Sequence, residues 1–274
     1  MGAYNEEINN MTFSFSRCHS FEGCKYEWYL NYLLVDEDHK PIYEHQQNFY
    51  AAFGKLCHEI LEQILTKNIP EEEGLITYEN GFVEISEDFS YEIAEPTMDR
   101  YYQYGHDYFE DMSFDWLKDY EILGVEKKCQ FEIDGIKFVG YIDLLIRSKE
   151  TGKIIVIDHK SAQYPIGKRG KVLKNKEEDY EAYKRQLYLY SKQVYEEYGE
   201  YPAYLVWNYF RDKKWLHIPF DKKEYDDSLL WAKNIVKNIK DEENFSPCIN
   251  HFYCTYLCGF RDSCEYKELE DEDD

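Results

Sequence analysis

The sequence predicts an α/β fold in which helices cover both faces of a mixed β-sheet. Runs of β-branched, leucine and aromatic residues form a three-stranded meander in the middle of the chain, and segments with a helical period lie before and after it. The predicted strands cover residues 121–133, 136–147, 153–160, 203–210 and 214–220. The predicted helices cover residues 13–33, 47–67, 91–120, 177–198 and 222–240.

The helices before the meander have different signals. Residues 13–33 predict a capped aromatic helix, and residues 91–120 are rich in Tyr and Phe with a less regular pattern. Residues 47–67 predict an amphipathic helix with one apolar face. That face consists of Phe53, Leu56, Cys57, Ile60, Leu61 and Ile64.

The second and third strands of the meander predict a hairpin that brings three charged residues together. If its turn is centred between Glu150 and Thr151, Asp143 lies directly opposite Asp158. Side chains in a strand repeat every two residues, so Lys160 shares that face. The sequence therefore predicts two carboxylates and a lysine at one place.

Charged residues are unexpected in this hairpin, because both of its arms are apolar enough to be covered on both faces of the sheet. On an exposed hairpin, Asp158 and Lys160 would form an ordinary solvated ion pair. In covered strands, unpaired carboxylates are costly unless they surround a cation. The hairpin thus indicates a metal-dependent phosphodiesterase.

Composition limits the classes of protein to consider. With 274 residues, 43% of them hydrophobic, the chain can bury a substantial core. No apolar run is long enough for a bilayer and the first residues have no secretory pattern, so we expect a soluble cytoplasmic protein with no membrane partner. The eight cysteines are then expected to be thiols or metal ligands. A formal net charge of −23 excludes attraction of nucleic acid to the whole surface, so any contact must be local.

One short basic segment follows the hairpin and offers such a local contact. It contains no acidic residue, and a solvated loop is the alternative interpretation. The predicted DNA-binding residues are Lys168, Arg169, Lys171, Lys174 and Lys176.

Four short motifs, in order along the chain, resemble those of the RecB-like branch of the PD-(D/E)XK nuclease superfamily. They are Gly54-Lys-Leu-Cys-His58, Gly140-Tyr-Ile-Asp143, Asp158-His-Lys160 and Gln186-Leu-Tyr-Leu-Tyr190. The resemblance covers residues 13–266. It implies a restriction-endonuclease-like fold with a mixed central sheet flanked by helices.

The resemblance also implies roles for these residues. His58, Asp143 and Asp158 would bind a metal ion together with the backbone carbonyl of His159. Such a mostly oxygen site suits Mg²⁺ or Mn²⁺, and the imidazole favours Mn²⁺ slightly. Lys160 would position or activate the attacking water and stabilise negative charge on the phosphate.

Gln186 and Tyr190 lie four residues apart on one side of the 177–198 helix. The resemblance implies that they orient Lys160 or grip the DNA backbone, whereas ordinary helix packing is the alternative. Glu126 is one more acidic residue on the preceding strand, and we expect it to support the site without binding the metal.

The cysteines near the two ends resemble the iron–sulfur site of AddB-type and CRISPR-associated RecB-like exonucleases, in which one cysteine before the nuclease core joins three after it. The expected ligands are Cys24, Cys254, Cys258 and Cys264. The gap from Cys254 to Cys258 is one residue longer than usual, so Cys248 and Cys18 are possible substitutes. The resemblance favours a [4Fe–4S] cluster that staples the two end segments together, with zinc as the alternative. Cys57 and Cys129 lie in apolar contexts and are expected in the core.

We therefore expect one RecB-like nuclease domain over residues 1–266, followed by an acidic tail at 267–274. Its parts are N-terminal helices at 13–120, a nuclease core at 121–220, and a helix with the cysteine cluster at 221–266. The expected activity is exonucleolytic hydrolysis of single-stranded DNA or DNA ends, with a protein partner that helps to deliver DNA. The alternatives are a catalytically idle scaffold in a recombination or CRISPR adaptation complex, and an electron-transfer protein.

Overall fold

The computed structural model describes residues 4–89 and 92–266. These residues form two compact units. The terminal unit consists of the described parts of Met1–Tyr50, Phe131–Val139 and Leu229–Asp274, and the central unit consists of those of Ala51–Gln130 and Gly140–Ser228.

A mixed five-stranded sheet flanked by helices is present, as predicted. The strands, which are hydrogen-bonded in chain order, are β1 (Tyr120–Ile133), β2 (Ile136–Ser148), β3 (Ile154–Lys160), β4 (Tyr204–Tyr209) and β5 (Lys214–Pro219). β3 pairs antiparallel with β2 and parallel with β4, and β5 pairs antiparallel with β4. β3 is therefore an interior strand.

The predicted register of the β2–β3 hairpin is confirmed. Leu144 pairs with Ile157 and Arg147 pairs with Ile154, which is the pairing that a turn centred between Glu150 and Thr151 requires. Most of β3 is buried, because apolar side chains cover it on both faces. The charged residues at its end thus lie in a largely desolvated place.

The helices are α1 (Asn5–Asn10), α2 (Phe15–Gly23), α3 (Lys25–Tyr32), α4 (Phe49–Leu65), α5 (Gly74–Phe89), α6 (Glu95–Asp111), α7 (Glu177–Tyr198), α8 (Lys222–Asp241) and α9 (His251–Tyr256). α7 connects the parallel strands β3 and β4 and lies against both, as is usual for a parallel crossover.

The predicted helix at 13–33 is wrong in one respect, since it is two helices separated at Cys24. The backbone of Cys24 is extended, with φ −148° and ψ 110°, and its thiol accepts the N–H of Glu27. Cys24 therefore caps α3 in place of a Ser or Asp side chain. This break places the sulfur at the N-terminus of a helix.

The predicted helix at 91–120 also differs from the structure. The described helix α6 begins at Glu95, with Pro96 in its first turn, and ends at Asp111 because Met112 is extended. A short 3-10 helix then covers Asp115–Asp119. Residue 91 lies outside the described residues. The sequence pattern predicts no helix at the position of α5.

An aromatic cluster forms the core of the terminal unit. The ring of Trp28, which is fully buried, stacks on Phe245 with centroids 5.9 Å apart and meets the edge of Phe21 at 5.5 Å. Phe21 belongs to α2 and Trp28 to α3, so the cluster fixes both helices on either side of Cys24.

No helix within residues 4–89 and 92–266 is both long and apolar enough to cross a lipid bilayer. The acidic tail predicted at 267–274 lies outside these residues. The single domain predicted over 1–266 stays a prediction.

Candidate active site

Three potential metal ligands converge in the central unit. They are His58 on α4, Glu126 on β1 and Asp143 on β2, and one donor atom of each lies within 4.8 Å of the other two. One imidazole and two carboxylates form a donor set that suits a hard divalent cation such as Mg²⁺ or Mn²⁺. Another triad of His106, Asp107 and Glu110 meets the same limit, but much of it is exposed to solvent on α6.

Glu126 reaches this group through an unusual backbone conformation. It has φ 45° in the middle of β1, a left-handed value that a residue other than glycine rarely adopts within a strand. Such kinks redirect a side chain out of the regular alternation and are common beside active sites. The sequence predicts only a supporting role for Glu126, whereas the structure brings its carboxylate to the candidate ligands.

The carboxylate of Asp143 is the centre of the group. Its Oδ2 accepts the backbone N–H of His159 at 2.6 Å and lies 3.6 Å from Nδ1 of His58. Burial and the nearby charge of Asp158 raise the pKa of Asp143 well above its ordinary value. A buried carboxylate with another carboxylate beside it is stabilised by a cation, and the donor set therefore fits a metal ion.

Burial also shifts the pKa values of the other two candidate ligands, His58 and Glu126, towards their neutral forms. Burial lowers the pKa of His58, so the imidazole is neutral, as metal binding requires. Burial, together with Glu62 and Asp158, raises the pKa of Glu126. The backbone of His159 lies close enough to the imidazole of His58 to oppose the lowering of its pKa by burial, so this predicted oxygen ligand is beside the group.

Lys160 forms the centre of a second, adjoining group. Its Nζ lies 2.8 Å from Oδ2 of Asp158, donates to Oε1 of Gln186 at 2.9 Å, and lies 4.4 Å from the ring centre of Tyr183. Gln186 in turn donates to the hydroxyl of Tyr190 at 3.3 Å. The structure therefore brings together the predicted residues Asp158, Lys160, Gln186 and Tyr190, and adds Tyr183.

The charge of Lys160 follows from these contacts. Burial alone would lower its pKa, but the electrostatic interaction with Asp158, followed by those with Tyr183 and Asp143, outweighs burial, so the net shift is upward. Lys160 is a stable cation that can donate hydrogen bonds. Asp158 lies against Lys160, outside the triad of His58, Glu126 and Asp143, and its role as a metal ligand stays a prediction.

The side chain of His159 points away from the carboxylates and anchors β3. Asn208 on β4 donates through Nδ2 to the hydroxyl of Tyr108 at 2.6 Å and lies 3.0 Å from Nδ1 of His159. Burial lowers the pKa of His159 to about 3, so its ring is neutral in the folded protein.

The predicted basic loop is exposed, and its shape is fixed by backbone hydrogen bonds. Gly167 and Leu173 donate to the carbonyls of Lys171 and Pro165, with Gly170 at φ 70° in the turn. Four of the predicted cations are solvent-exposed, namely Lys168, Arg169, Lys171 and Lys174. Lys176 differs, because it pairs with Asp179 at 3.4 Å.

Five cysteines line one cavity of about 350 Å³ in the terminal unit, namely Cys24, Cys248, Cys254, Cys258 and Cys264. All four predicted ligands are present, and Cys248, one of the two substitutes, is the fifth. The other substitute, Cys18, is buried outside this lining. Cys57 and Cys129 are buried, as predicted.

Backbone N–H groups point at two of these sulfurs. Cys24 accepts hydrogen bonds from Glu27 at 3.4 Å and from Cys248 at 3.3 Å, and Cys258 accepts one from Phe260 at 3.4 Å. Hydrogen bonds of this kind stabilise negative charge on metal-bound thiolates. Burial raises the pKa of Cys258, and burial together with Cys24 raises that of Cys248 to about 11, so a cation is needed to hold both as thiolates. The cavity therefore fits a metal centre.

The model of the PD-(D/E)XK nuclease superfamily matches residues 12–265. No curated protein matches the chain.

We predict that Glu126→Gln weakens Mn²⁺ binding at least about tenfold, because it replaces a charged ligand by a neutral one. Calorimetric titration of the metal-free protein with Mn²⁺ measures the effect. Glu59→Gln is the matched control, since Glu59 is an exposed residue that follows His58 on α4 and pairs with Lys55. Equal affinities for the Glu126 and Glu59 variants would remove Glu126 from the ligand set.

A second prediction concerns acid stability. Folded His159 takes up a proton only near pH 3, whereas the unfolded chain does so near 6.5, so acidification favours the unfolded state between these values. Between pH 7 and 4.5 this residue should cost about 2–3 kcal/mol of the free energy of unfolding. His159→Gln retains an acceptor for Asn208 but has no ring to protonate. Between pH 7 and 4.5 its free energy of unfolding, measured by urea denaturation, should therefore fall by about 2–3 kcal/mol less than that of the wild type. Equal losses for wild type and variant would show that the ring is not a buried neutral base.

Proposed function

The chain belongs to the PD-(D/E)XK nuclease superfamily, and from this premise we propose that it is a DNA exonuclease of the RecB-like iron–sulfur type. Nucleases of this superfamily hydrolyse nucleic acid with divalent metal ions. The proposal rests on two adjacent clusters of side chains. One is the ligand triad of His58, Glu126 and Asp143, and the other is the charged Lys160 paired with Asp158.

His58, Glu126 and Asp143 would hold Mg²⁺ or Mn²⁺, with Asp158 and the carbonyl of His159 as further oxygen ligands. When bound there, such an ion polarises a phosphoryl oxygen and makes water more acidic. The neutral imidazole of His58 favours Mn²⁺ over Mg²⁺. These residues also orient one another, because Asp143 is fixed by the N–H of His159.

Lys160 would act on the developing negative charge of the phosphate. An ammonium has three N–H donors; one is accepted by Gln186, and the carboxylate of Asp158 lies 2.8 Å from the nitrogen as an ion pair. A remaining donor can serve the attacking water or a phosphate oxygen. Because the pKa of Lys160 is raised, we assign to it charge stabilisation and positioning of the water, not removal of a proton.

The substrate class is proposed from the resemblance and from charge. Single-stranded DNA or a DNA end is the proposed substrate, and the exposed cations of the loop from Lys168 to Lys174 would contact its phosphates. The net charge of −23 repels DNA elsewhere, so a protein partner that delivers the DNA is part of the proposal.

The cysteine cavity is proposed to hold a [4Fe–4S] cluster, with zinc as the alternative. Cys24, Cys254, Cys258 and Cys264 are the proposed ligands, and Cys248 is the competing candidate for one position. Its role would be structural, since it would tie the α2–α3 junction to the segment that contains α9. The N–H groups aimed at Cys24 and Cys258 support this proposal.

The experiment that tests the function is digestion of end-labelled single- and double-stranded DNA with Mn²⁺ or EDTA. Lys160→Ala should lower turnover at least about a hundredfold while leaving Mn²⁺ and DNA binding in place. Asp143→Ala should abolish cleavage and weaken Mn²⁺ binding. A wild-type protein that binds DNA but cleaves none would point to the idle scaffold, and Lys160→Ala with full activity would exclude this active site.

Tyr183 is a further positioning residue whose effect can be separated from folding. Tyr183→Leu removes the ring face from Lys160 and should lower kcat about tenfold with little change in KM, whereas Tyr183→Phe keeps the ring and should stay within about twofold. In a Lys160→Ala background, Tyr183→Leu should have no further effect. The assignment would be contradicted if Tyr183→Leu and Tyr183→Phe lowered kcat equally. It would also be contradicted if Tyr183→Leu lowered kcat as much in the Lys160→Ala background as in the wild type.

The cluster proposal predicts a coloured protein. Anaerobically purified chain should absorb broadly near about 400 nm and contain about four iron atoms per chain. Cys24→Ala should lose iron and thermal stability, whereas Cys57→Ala, a buried thiol outside the cavity, should keep its iron. Comparison of Cys248→Ala with Cys254→Ala identifies which of the two is a ligand. Stoichiometric zinc without iron in an active protein would reject the iron assignment.

A further inference from the structure

A cavity of about 680 Å³ in the central unit has a role in neither the proposed chemistry nor the cysteine site. It lies where the end of α4, the 3-10 helix Asp115–Asp119 and the start of β1 meet. Its volume falls within the range of about 300–1,000 Å³ that is typical of ligand sites. Its lining includes Lys67, Glu71, Phe114, Lys118, Tyr120 and Lys149.

The rim of this groove is basic on a strongly acidic protein. Lys67, Lys118 and Lys149 are all exposed, and none of them pairs with a carboxylate within the described part of the chain. Lys149 donates to the backbone carbonyl of Lys118 at 2.7 Å. Elsewhere, exposed lysines such as Lys213 are neutralised by an acidic neighbour. The groove therefore concentrates unneutralised positive charge.

Its only acidic lining residue has another task. Oε2 of Glu71 accepts the backbone N–H of Phe114 at 3.1 Å, which ties the loop before the 3-10 helix to the segment after α4. Glu71 therefore fixes the wall of the groove, and three lysines face one engaged carboxylate. Among the residues that line the groove, basic side chains therefore outnumber acidic ones, whereas acidic residues predominate in the whole chain.

The floor of the groove is apolar and partly accessible. Phe114 is buried, Leu117 and Tyr120 are half-buried, and Ile122 is 39% exposed. A basic rim over an aromatic and aliphatic floor is the arrangement that binds the phosphates and the unpaired bases of a single strand. The paired bases of a duplex would not reach this floor.

Two elements lead from the candidate active site to the groove. Along α4, His58 precedes Ile64 by about 9 Å at the usual helical rise. Along β1, Ile122 precedes Glu126 by about 13 Å at the usual strand rise. These lengths correspond to about three to four steps of a stacked strand.

We propose that this groove binds the single-stranded part of the substrate, about three to four nucleotides from the bond that is cleaved. The inference rests on the proposed nuclease function and adds to it a second contact region besides the basic loop. Lys67, Lys118 and Lys149 contact phosphates, and Tyr120 with Ile122 contacts bases.

The test measures binding of fluorescent oligonucleotides by anisotropy in the Lys160→Ala background with Mn²⁺, where cleavage is suppressed. The groove variant carries Lys67→Ala, Lys118→Ala and Lys149→Ala. The control variant removes the same charge at Lys128, Lys222 and Lys223, which are exposed lysines of the central unit outside the groove.

For a 16-nucleotide strand, the groove variant should bind at least about tenfold more weakly than the control. Its slope of log affinity against log salt should be flatter by about 2, as expected when three phosphate contacts are lost from a single strand. For a 2-nucleotide strand the two variants should differ by less than about twofold, because so short a strand cannot contact the metal ligands and the groove together.

Crosslinking supplies a readout that does not depend on charge. A 16-mer with 5-iododeoxyuridine about three to four nucleotides from the cleaved bond should crosslink to Tyr120. Equal affinities of the groove and control variants, or crosslinks confined to the basic loop, would overturn the inference while leaving the nuclease proposal intact. A last outcome concerns an acidic protein partner. If poly-glutamate binds the control variant more tightly than the groove variant while the oligonucleotide binds both equally, the groove belongs to an acidic partner and the inference is overturned. If the wild-type chain neither binds nor cleaves DNA, the proposed function itself fails.

Discussion

The central constraint on this protein is the desolvation of charge at the end of β3. Asp158 and Lys160 stand on an interior strand, where neither charge is stable alone, so each must be matched by neighbours. The surrounding elements supply those neighbours: α7 brings Tyr183 and Gln186 to Lys160. The position of α7 across the sheet is therefore as important to the site as the strand itself.

The same constraint explains why the site has two chemically different halves. On one side, the carboxylates of Glu126 and Asp143 lie beside a neutral His58, and burial makes their negative charge unfavourable without a cation. On the other side, Asp158 neutralises Lys160 and keeps it protonated. Asp158 belongs to both halves, because its field also acts on Asp143. One carboxylate thus couples the affinity for metal to the charge of the lysine.

Much of this arrangement could be predicted from the sequence, because a hairpin turn fixes a register and a register fixes which residues meet. The turn near Glu150 was sufficient to place Asp143 with Asp158. The same reasoning applied to the turn at Asp134 and Gly135 would have set Glu126 opposite Asp143. The sequence does not show that the backbone of Glu126 is left-handed, because such a conformation in mid-strand has no sequence signature when the residue is not glycine.

Other features have no local signal at all. The thiol of Cys24 interrupts a helical pattern that continues unbroken in the sequence, since the capping group is a cysteine, which is unusual at that position. The groove lysines are scattered over residues 67, 118 and 149, and only tertiary folding brings them together. The helix α5 mixes β-branched residues and glycines, which obscures its period.

The sulfur of Cys24 has a consequence for the biosynthesis of the chain. It accepts the backbone N–H of Cys248, which is 224 residues further along. At ribosomal speeds of about 5–20 residues per second, about 11–45 s separate the synthesis of the two residues. Throughout that interval the α2–α3 junction exists without the segment that completes its cavity. Nascent chains therefore pass through a stage in which this thiol is exposed to oxidants and foreign metals. The yield of active protein would then depend on how well the thiol is protected during that stage.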